Sequence, residues 1–165
     1  MRSSILPLVA YGCDRGGNAE PVDSLQPPVE AAAQVPGPVV GAKVNLVVPD
    51  TVARGVKVPI TIRVANTTSA PLDLYLRGRD IAFDITITDP TGAEFWRRLE
   101  GETVLTILQV RSLRPGEVLE LSDEWNQRAR SGRPATAGVY TIRGEVLTDG
   151  TSSLVSNEVS LVIKP

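Results

Sequence analysis

Few side chains in this sequence of 165 residues could perform catalysis. The chain has no histidine and one cysteine, so histidine-based triads are excluded. A serine nucleophile needs an activating base, and the three lysines, Lys43, Lys57 and Lys164, lie outside any Ser-x-x-Lys motif. Paired carboxylates such as Asp80 and Asp84 could act as acid and base, but such pairs are more often solvated surface charges. These residue types predict a protein that is not an enzyme.

Metal, cofactor and nucleic-acid sites are equally unsupported by the composition. One thiol cannot build a Cys-x-x-Cys site, and Asp149-Gly150 alone is too short for a calcium loop. No glycine-rich phosphate loop follows a strand pattern. The 17 Lys and Arg residues are balanced by 19 Asp and Glu residues, which leaves no basic field for nucleic acid. We therefore expect no metal, no cofactor and no nucleic-acid partner.

Two polar segments could instead contact a protein partner. The first spans residues 96–102 and offers Trp96, Arg97, Arg98, Leu99 and Glu100. The second spans residues 125–134 and offers Arg128, Arg130 and Arg133. Arginine carries a planar fork of donors and is enriched at the energetic centres of protein interfaces. Each segment could equally be a solvated connector between strands, with Trp96 closing the core.

The elements that would position these segments are β-strands. Apolar residues alternate with polar ones, with a period of two, in residues 44–48, 58–64, 81–87, 140–146 and 155–163. Such alternation is typical of strands with one buried face. Residues 104–110 are apolar on both faces, which predicts a central strand. About eight or nine short strands predict an all-β fold, an immunoglobulin-like two-sheet antiparallel β-sandwich behind a disordered N-terminal tail.

Turn residues separate these strand patterns. Asp89-Pro90-Thr91-Gly92 fits a type I turn, and Arg114-Pro115-Gly116-Glu117 fits a type II turn in which Gly116 supplies the positive φ. Gly138-Val139-Tyr140 resembles a tyrosine corner, whose hydroxyl bonds the upstream backbone. Pro59 lies inside a strand pattern and predicts an edge or a bulge there.

The first 41 residues differ from the rest of the chain. Arg2, an apolar run over residues 5–11 and Cys13 resemble a bacterial lipoprotein signal covering residues 1–13, with lipid attachment at Cys13. Plain export and a cytosolic chain are the alternatives. Residues 14–41 are rich in proline and alanine, which predicts a disordered tether before a domain of residues 42–165. We expect a cell-envelope protein that meets the membrane only through a lipid anchor, with the cytoplasm as the alternative location.

The order of motifs over about residues 57–148 resembles the BsuPI-type intracellular proteinase inhibitor domain. The shared motifs are Phe83-Asp84, the Asp89-x-x-Gly92 hairpin that leads to Trp96-Arg97, the Leu113-Arg114-Pro115-Gly116-Glu117 turn, Trp125, and Gly138-Val139-Tyr140-Thr141. The family pattern is not followed at Arg98, Leu99 and Ala137. We expect the shared residues to be mainly architectural: Asp84, Pro115, Gly116, Trp125, Gly138 and Tyr140.

The resemblance implies a non-enzymatic binding domain that inhibits a serine proteinase of the subtilisin-like class. A rigid exposed loop would occupy the proteinase cleft, and the segments at residues 96–102 and 128–134 are the candidate loops. The alternative is an envelope-anchored structural or adhesive immunoglobulin-like module that binds another protein and inhibits nothing.

Overall fold

The computed structural model describes residues 37–150 and 152–165. These ranges contain no helix, and thus none long and apolar enough to cross a bilayer. Their strands are β1 (Gly37–Pro38), β2 (Ala42–Val47), β3 (Thr51–Ala53), β4 (Val58–Asn66), β5 (Leu72–Arg77), β6 (Phe83–Thr88), β7 (Glu94–Arg97), β8 (Leu108–Leu113), β9 (Val118–Trp125), β10 (Gly138–Val146), β11 (Ser152–Val155) and β12 (Val159–Lys164).

The predicted all-β sandwich is confirmed. A seven-stranded sheet is centred on β10, which pairs with β6 on one side and with β11 and β12 on the other. The strand β7 pairs with β6. A second sheet has the order β2-β4-β9, and β5 pairs with β8 in a smaller sheet. The pairings are antiparallel except for two short parallel ones, β1 with β11 and β3 with β12.

The predicted signal, Cys13 and most of the predicted tether lie outside the described residues. The last residues of that tether, by contrast, belong to the folded domain. Gly37–Pro38 form β1 beside β11, and Val39 packs against the core. Proline removes a backbone donor, but an edge strand tolerates this loss because one side of the strand is unpaired.

The two large sheets meet at the apolar faces of β4 and β10. Their inward residues are buried with the predicted period of two: Val58, Ile60, Ile62 and Val64 on β4, and Tyr140, Ile142, Gly144 and Val146 on β10. Gly144 makes the closest approach. A Cβ atom placed there would lie 2.7 Å from Cγ1 of Ile62 and 3.1 Å from Cδ1 of Leu46. The spacing of the sheets therefore depends on the absence of a side chain at Gly144.

The prediction of a central strand over residues 104–110 is wrong. Residues 102–107 lie outside any strand, and β8 begins at Leu108 and has β5 as its partner among the described strands. Leu105, Leu108 and Val110 remain 51%, 52% and 61% exposed. An apolar run predicts burial only if another element covers it, and the local pattern does not show whether one does.

The two turns and the tyrosine corner lie at the residues where the sequence predicts them. Gly92 N donates to Asp89 O over 2.9 Å, and Glu117 N donates to Arg114 O over 2.9 Å, with Gly116 at φ 75°. The Tyr140 hydroxyl accepts from Thr136 N at 3.1 Å and donates to Thr136 O at 3.2 Å. A Cβ at Gly138 would lie 2.8 Å from Pro90 Cγ, so this glycine allows the turn to pack on β10.

Pro59 also has a simple structural setting. The β2 pairing ends at Val47 and Thr61, so at Pro59 the strand β4 has, among the described strands, only β9 beside it, through Glu124. Its missing N–H group therefore interrupts no three-stranded ladder.

Candidate functional site

The structure brings the two predicted contact segments together at one place on the domain. The β7–β8 loop (residues 98–107) begins two residues after Trp96, and the β9–β10 loop (residues 126–137) begins directly after Trp125. The two indole rings lie 6.5 Å apart, and Arg130 Nη1 donates to Glu100 O. Gly101, at φ 74°, leaves room for this contact, since a Cβ there would lie 2.7 Å from Arg130 Nη2. We call the two loops together the loop pair.

A cluster of aromatic rings lies beneath the loop pair. The Phe95 ring meets Trp125 edge-on at 5.9 Å and Tyr140 edge-on at 5.5 Å. Trp125 and Tyr140 are buried, whereas Trp96 is half-buried at the border of this cluster. Aromatic pairs in such arrangements contribute about 0.5–1.5 kcal/mol beyond their buried area. Both loops thus begin at this aromatic cluster.

Asp84 fixes the start of the β7–β8 loop from within β6. Its carboxylate is buried, and Oδ1 accepts hydrogen bonds from Ile85 N at 2.9 Å and Leu99 N at 3.0 Å. Oδ2 accepts from Arg97 Nε at 2.5 Å. The hydrogen bond to Asp84 and its negative charge raise the pKa of the Arg97 guanidinium. A buried carboxylate is tolerated only with such partners, so Asp84 dictates the positions of Arg97 and Leu99.

Arg98, the residue after β7, contacts a strand of each of the two large sheets. Its Nε donates to Asp123 Oδ2 on β9 at 2.5 Å, and its Nη1 donates to Phe83 O on β6 at 2.8 Å. The guanidinium lies 3.9 Å from the centroid of the Phe83 ring. Arg97 and Arg98 are therefore occupied by contacts within the domain, and their direct contact with a partner stays a prediction.

The β9–β10 loop is closed by its own hydrogen bonds. Ala129 N donates to Arg133 O at 2.8 Å, and Gly132 N donates to Ala129 O at 2.8 Å. Arg128 Nη1 donates to Gly132 O at 2.9 Å, while the Arg133 guanidinium lies 4.8 Å from the Phe95 centroid. The three predicted arginines are exposed, yet each makes a contact within the domain. Arg130 completes the set by bonding the neighbouring loop.

Gln127 is a supporting residue that the sequence did not reveal. It is buried and lies in the left-handed region at φ 58°, which is uncommon for a residue other than glycine. Its Oε1 accepts from Gly55 N at 2.8 Å, and its Nε2 donates to Ala53 O at 2.9 Å and to Val56 O at 2.6 Å. One amide therefore ties the β9–β10 loop to the β3–β4 turn. No residue pattern identifies such a site, because the partners lie more than seventy residues away.

Two clefts border the β7–β8 loop. One, of about 570 Å³, is lined by residues that include Asp84, Arg97, Val104, Leu147 and the four glutamates Glu94, Glu100, Glu102 and Glu145. The other, of about 490 Å³, is lined by residues that include Trp96, Arg98, Leu105 and Asp123. Within the described ranges, no group of three His, Cys, Asp or Glu side chains is placed to hold a metal ion.

Residues 46–151 match the family model described as BsuPI, intracellular proteinase inhibitor. The predicted envelope location is wrong, because that description points to the cytoplasm. The prediction relied on an apolar run of seven residues, which is at the lower limit of export segments and therefore discriminates poorly. Lipid attachment at Cys13 lies outside the described residues.

Several solved structures match part of the chain at low similarity. The alkylpurine DNA glycosylase AlkC of Pseudomonas fluorescens is 16% identical, with TM-score 0.43, over 76% of this chain and 31% of that one. The CARDB domain of a Pyrococcus furiosus protein is 18% identical, with TM-score 0.39, over 74% of this chain and 94% of that one. Spo0M, a sporulation control protein of Bacillus subtilis, is 15% identical, with TM-score 0.45, over 76% and 50%. Such likenesses transfer no function.

No curated protein sequence matches the chain significantly. The family match covers more than half of the chain and includes both loops, the buried Asp84, the Pro115-Gly116 turn and the tyrosine corner. The chain therefore belongs to the BsuPI family of intracellular proteinase inhibitors.

Proposed function

We propose that this protein inhibits a serine proteinase of the subtilisin-like class by placing the loop pair in the active-site cleft. Family membership supports inhibition of a proteinase. The observation that carries the proposal is that the two loops hold each other, through Arg130 and Glu100, and are held from below by Asp84 and Gln127. An inhibitor acts by binding and needs no catalytic group of its own.

Rigidity is the property that separates an inhibitor from a substrate. Ordering a flexible side chain at an interface costs about 0.5–1.5 kcal/mol, so a loop already held in its bound form loses less free energy on binding. A loop fixed at both ends also keeps its residues in place after attack by the enzyme. The hydrogen bonds made by Asp84, Gln127 and Arg130 supply this fixation.

The experiment is a titration of the purified full-length chain against subtilisin-like and trypsin-like serine proteinases, with residual activity followed for each. We expect stoichiometric loss of subtilisin-like activity while the chain remains intact on a gel. A chain that forms a complex but leaves activity unchanged would contradict inhibition, and would instead favour a binding module that acts outside the cleft.

Loop-pair variants then connect any inhibition to this site. Arg130→Ala removes the contact with Glu100, and we expect inhibition to weaken by about 10-fold because the loops lose their mutual support. Arg143→Ala, an exposed arginine on β10, is the matched control and should inhibit like the wild type.

A further inference from the structure

We infer that residues 103–107 of the β7–β8 loop form the segment that enters the proteinase cleft, with Leu105 in an apolar primary specificity pocket. This inference rests on the proposed function and names the contact segment and the specificity of the target. The segment lies just beyond the predicted contact residues 96–102, and three of its properties suit it to a cleft.

The main chain of this segment is free to pair with another protein. Within the described part of the chain, no hydrogen bond involves the N–H or C=O groups of residues 103–106. Proteins that bind a peptide in a cleft commonly add it as a strand, with main-chain hydrogen bonds giving affinity and pockets for alternate side chains giving specificity. Four consecutive unpaired residues offer such a strand.

The side chains of the segment are apolar and open to solvent. Leu105 is 51% exposed and Ile107 is 43% exposed, while Val104 between the two clefts is half-buried. Leu108 and Val110 of β8 are also exposed, at 52% and 61%. Several exposed apolar side chains within seven residues are typical of a site for a partner.

Both ends of the segment are anchored to the domain. At the first end, Leu99 N is held by Asp84 and Glu102 N donates to Leu99 O at 3.0 Å. At the second end, Gly78 N donates to Ile107 O at 2.8 Å, and the Gln109 side-chain amide donates to Gly78 O. The unpaired stretch therefore lies between two anchored ends, with Leu105 at its middle.

The arginines near the segment indicate which type of proteinase specificity pocket it can fill. Arg97, Arg98 and Arg130 are engaged by Asp84, Asp123 and the main-chain oxygen of Glu100, so none of these three is free to enter the carboxylate-bearing pocket of a trypsin-like enzyme. Arg79, which lines the same cleft as Leu105, lies on a different loop and outside the segment. Leu105 is the exposed side chain at the middle of the segment, and it suits an apolar pocket. The target is thus a serine proteinase that cleaves after apolar residues.

The test replaces Leu105 in the full-length chain. Leu105→Arg should weaken inhibition of a subtilisin-like proteinase by about 100-fold and should create inhibition of trypsin, whose pocket accepts arginine. Val47→Arg, at a β2 residue that is also 51% exposed, is the matched control and should inhibit like the wild type. Leu105→Ala should weaken inhibition by about 10-fold. Circular dichroism and thermal unfolding of each variant report its folding separately from its inhibition.

Loss of inhibition in both Leu105 variants, with Val47→Arg unaffected and all variants folded, would support the inference. Undiminished inhibition by folded Leu105→Arg and Leu105→Ala would overturn it and leave the proposed function standing. If the wild-type chain inhibits no serine proteinase, both fail, because the inference requires a proteinase cleft.

Discussion

Asp84, buried in β6, forms an ion pair with Arg97 at the end of β7, with 2.5 Å between Oδ2 and Nε. The carboxylate is 4% exposed and the guanidinium is 49% exposed, so the negative charge is buried while the positive charge reaches solvent. Because the other carboxylate oxygen accepts from Leu99 N, the pair also sets where the β7–β8 loop begins. The loop's position therefore depends on one buried carboxylate.

Removing that carboxylate should destabilise the domain. In Asp84→Ala, the main-chain N–H of Leu99 loses its acceptor and Arg97 loses its partner, so we expect the free energy of unfolding to fall by about 1–3 kcal/mol. Urea unfolding followed by tryptophan fluorescence measures the change. Asp73→Ala, at an exposed aspartate of β5, is the control and should change stability by no more than about 0.5 kcal/mol. Equal effects of the two substitutions would contradict the role given to Asp84.

Gln127 offers a test that separates backbone strain from hydrogen bonding. Gln127→Ala and Gln127→Gly both lose the hydrogen bonds to the β3–β4 turn, but only glycine adopts φ 58° without steric cost. We expect both variants to be less stable than the wild type, and the glycine variant to be more stable than the alanine variant by about 1 kcal/mol. Thermal unfolding ranks the three proteins. An alanine variant as stable as the glycine variant would mean that the loop relaxes out of this conformation.

Gly144→Ala should overpack the interface between the two sheets. The new methyl group would meet Ile62 and Leu46, and the expected loss is about 1–3 kcal/mol. Ile62→Val deletes Cδ1, which would lie 2.8 Å from the new methyl carbon, and so makes some room. The double variant should thus lose less stability than the sum of the two single losses. Strict additivity in urea unfolding would show that the contact at Gly144 does not set the sheet spacing.

Asp89 makes the stability of the β6–β7 turn depend on pH. The hydrogen bond from the Thr91 hydroxyl lowers the pKa of Asp89 below its ordinary value of 3.8, with help from Thr91 N and Ala93 N. A lowered pKa in the folded state adds stability above the unfolded pKa, and this stability is lost as the pH falls through the folded pKa. The stability difference between wild type and Asp89→Asn should therefore be present at neutral pH and shrink below pH 3.8.

The pKa of Asp89 itself can be followed by NMR titration of its carboxyl carbon. Thr91→Val removes the hydroxyl donor and should move that pKa back upward. A titration curve that is the same in both proteins would show that the hydroxyl does not hold the carboxylate.

Much of the fold follows from local pattern. Alternation at Val58, Ile60, Ile62 and Val64 predicts β4 because a strand turns successive side chains to opposite faces. The Pro115-Gly116 turn is equally local, since φ 75° at Gly116 is available to glycine without cost. These features need no information from distant residues.

The site was less predictable because its key contacts are distant in sequence. Arginine in a loop suits a partner contact or an internal ion pair equally well, and only the fold reveals Asp123 beside Arg98. The apolar residues 104–110 indicate a buried strand when they are considered alone, yet nothing in the described chain covers the outer side of Leu105 or Val110. Nonlocal pairing decides both cases.

The most direct test of inhibition by the loop pair is whether the chain needs an open cleft to bind its target. Binding of the full-length chain would be measured by calorimetry to a subtilisin-like proteinase, free and with its active site filled by a covalent peptide inhibitor. We expect one-to-one binding to the free enzyme and binding at least about 100-fold weaker to the blocked enzyme, a difference of about 2.7 kcal/mol. Equal affinity for the two forms would place the interface outside the cleft and contradict inhibition by the loop pair.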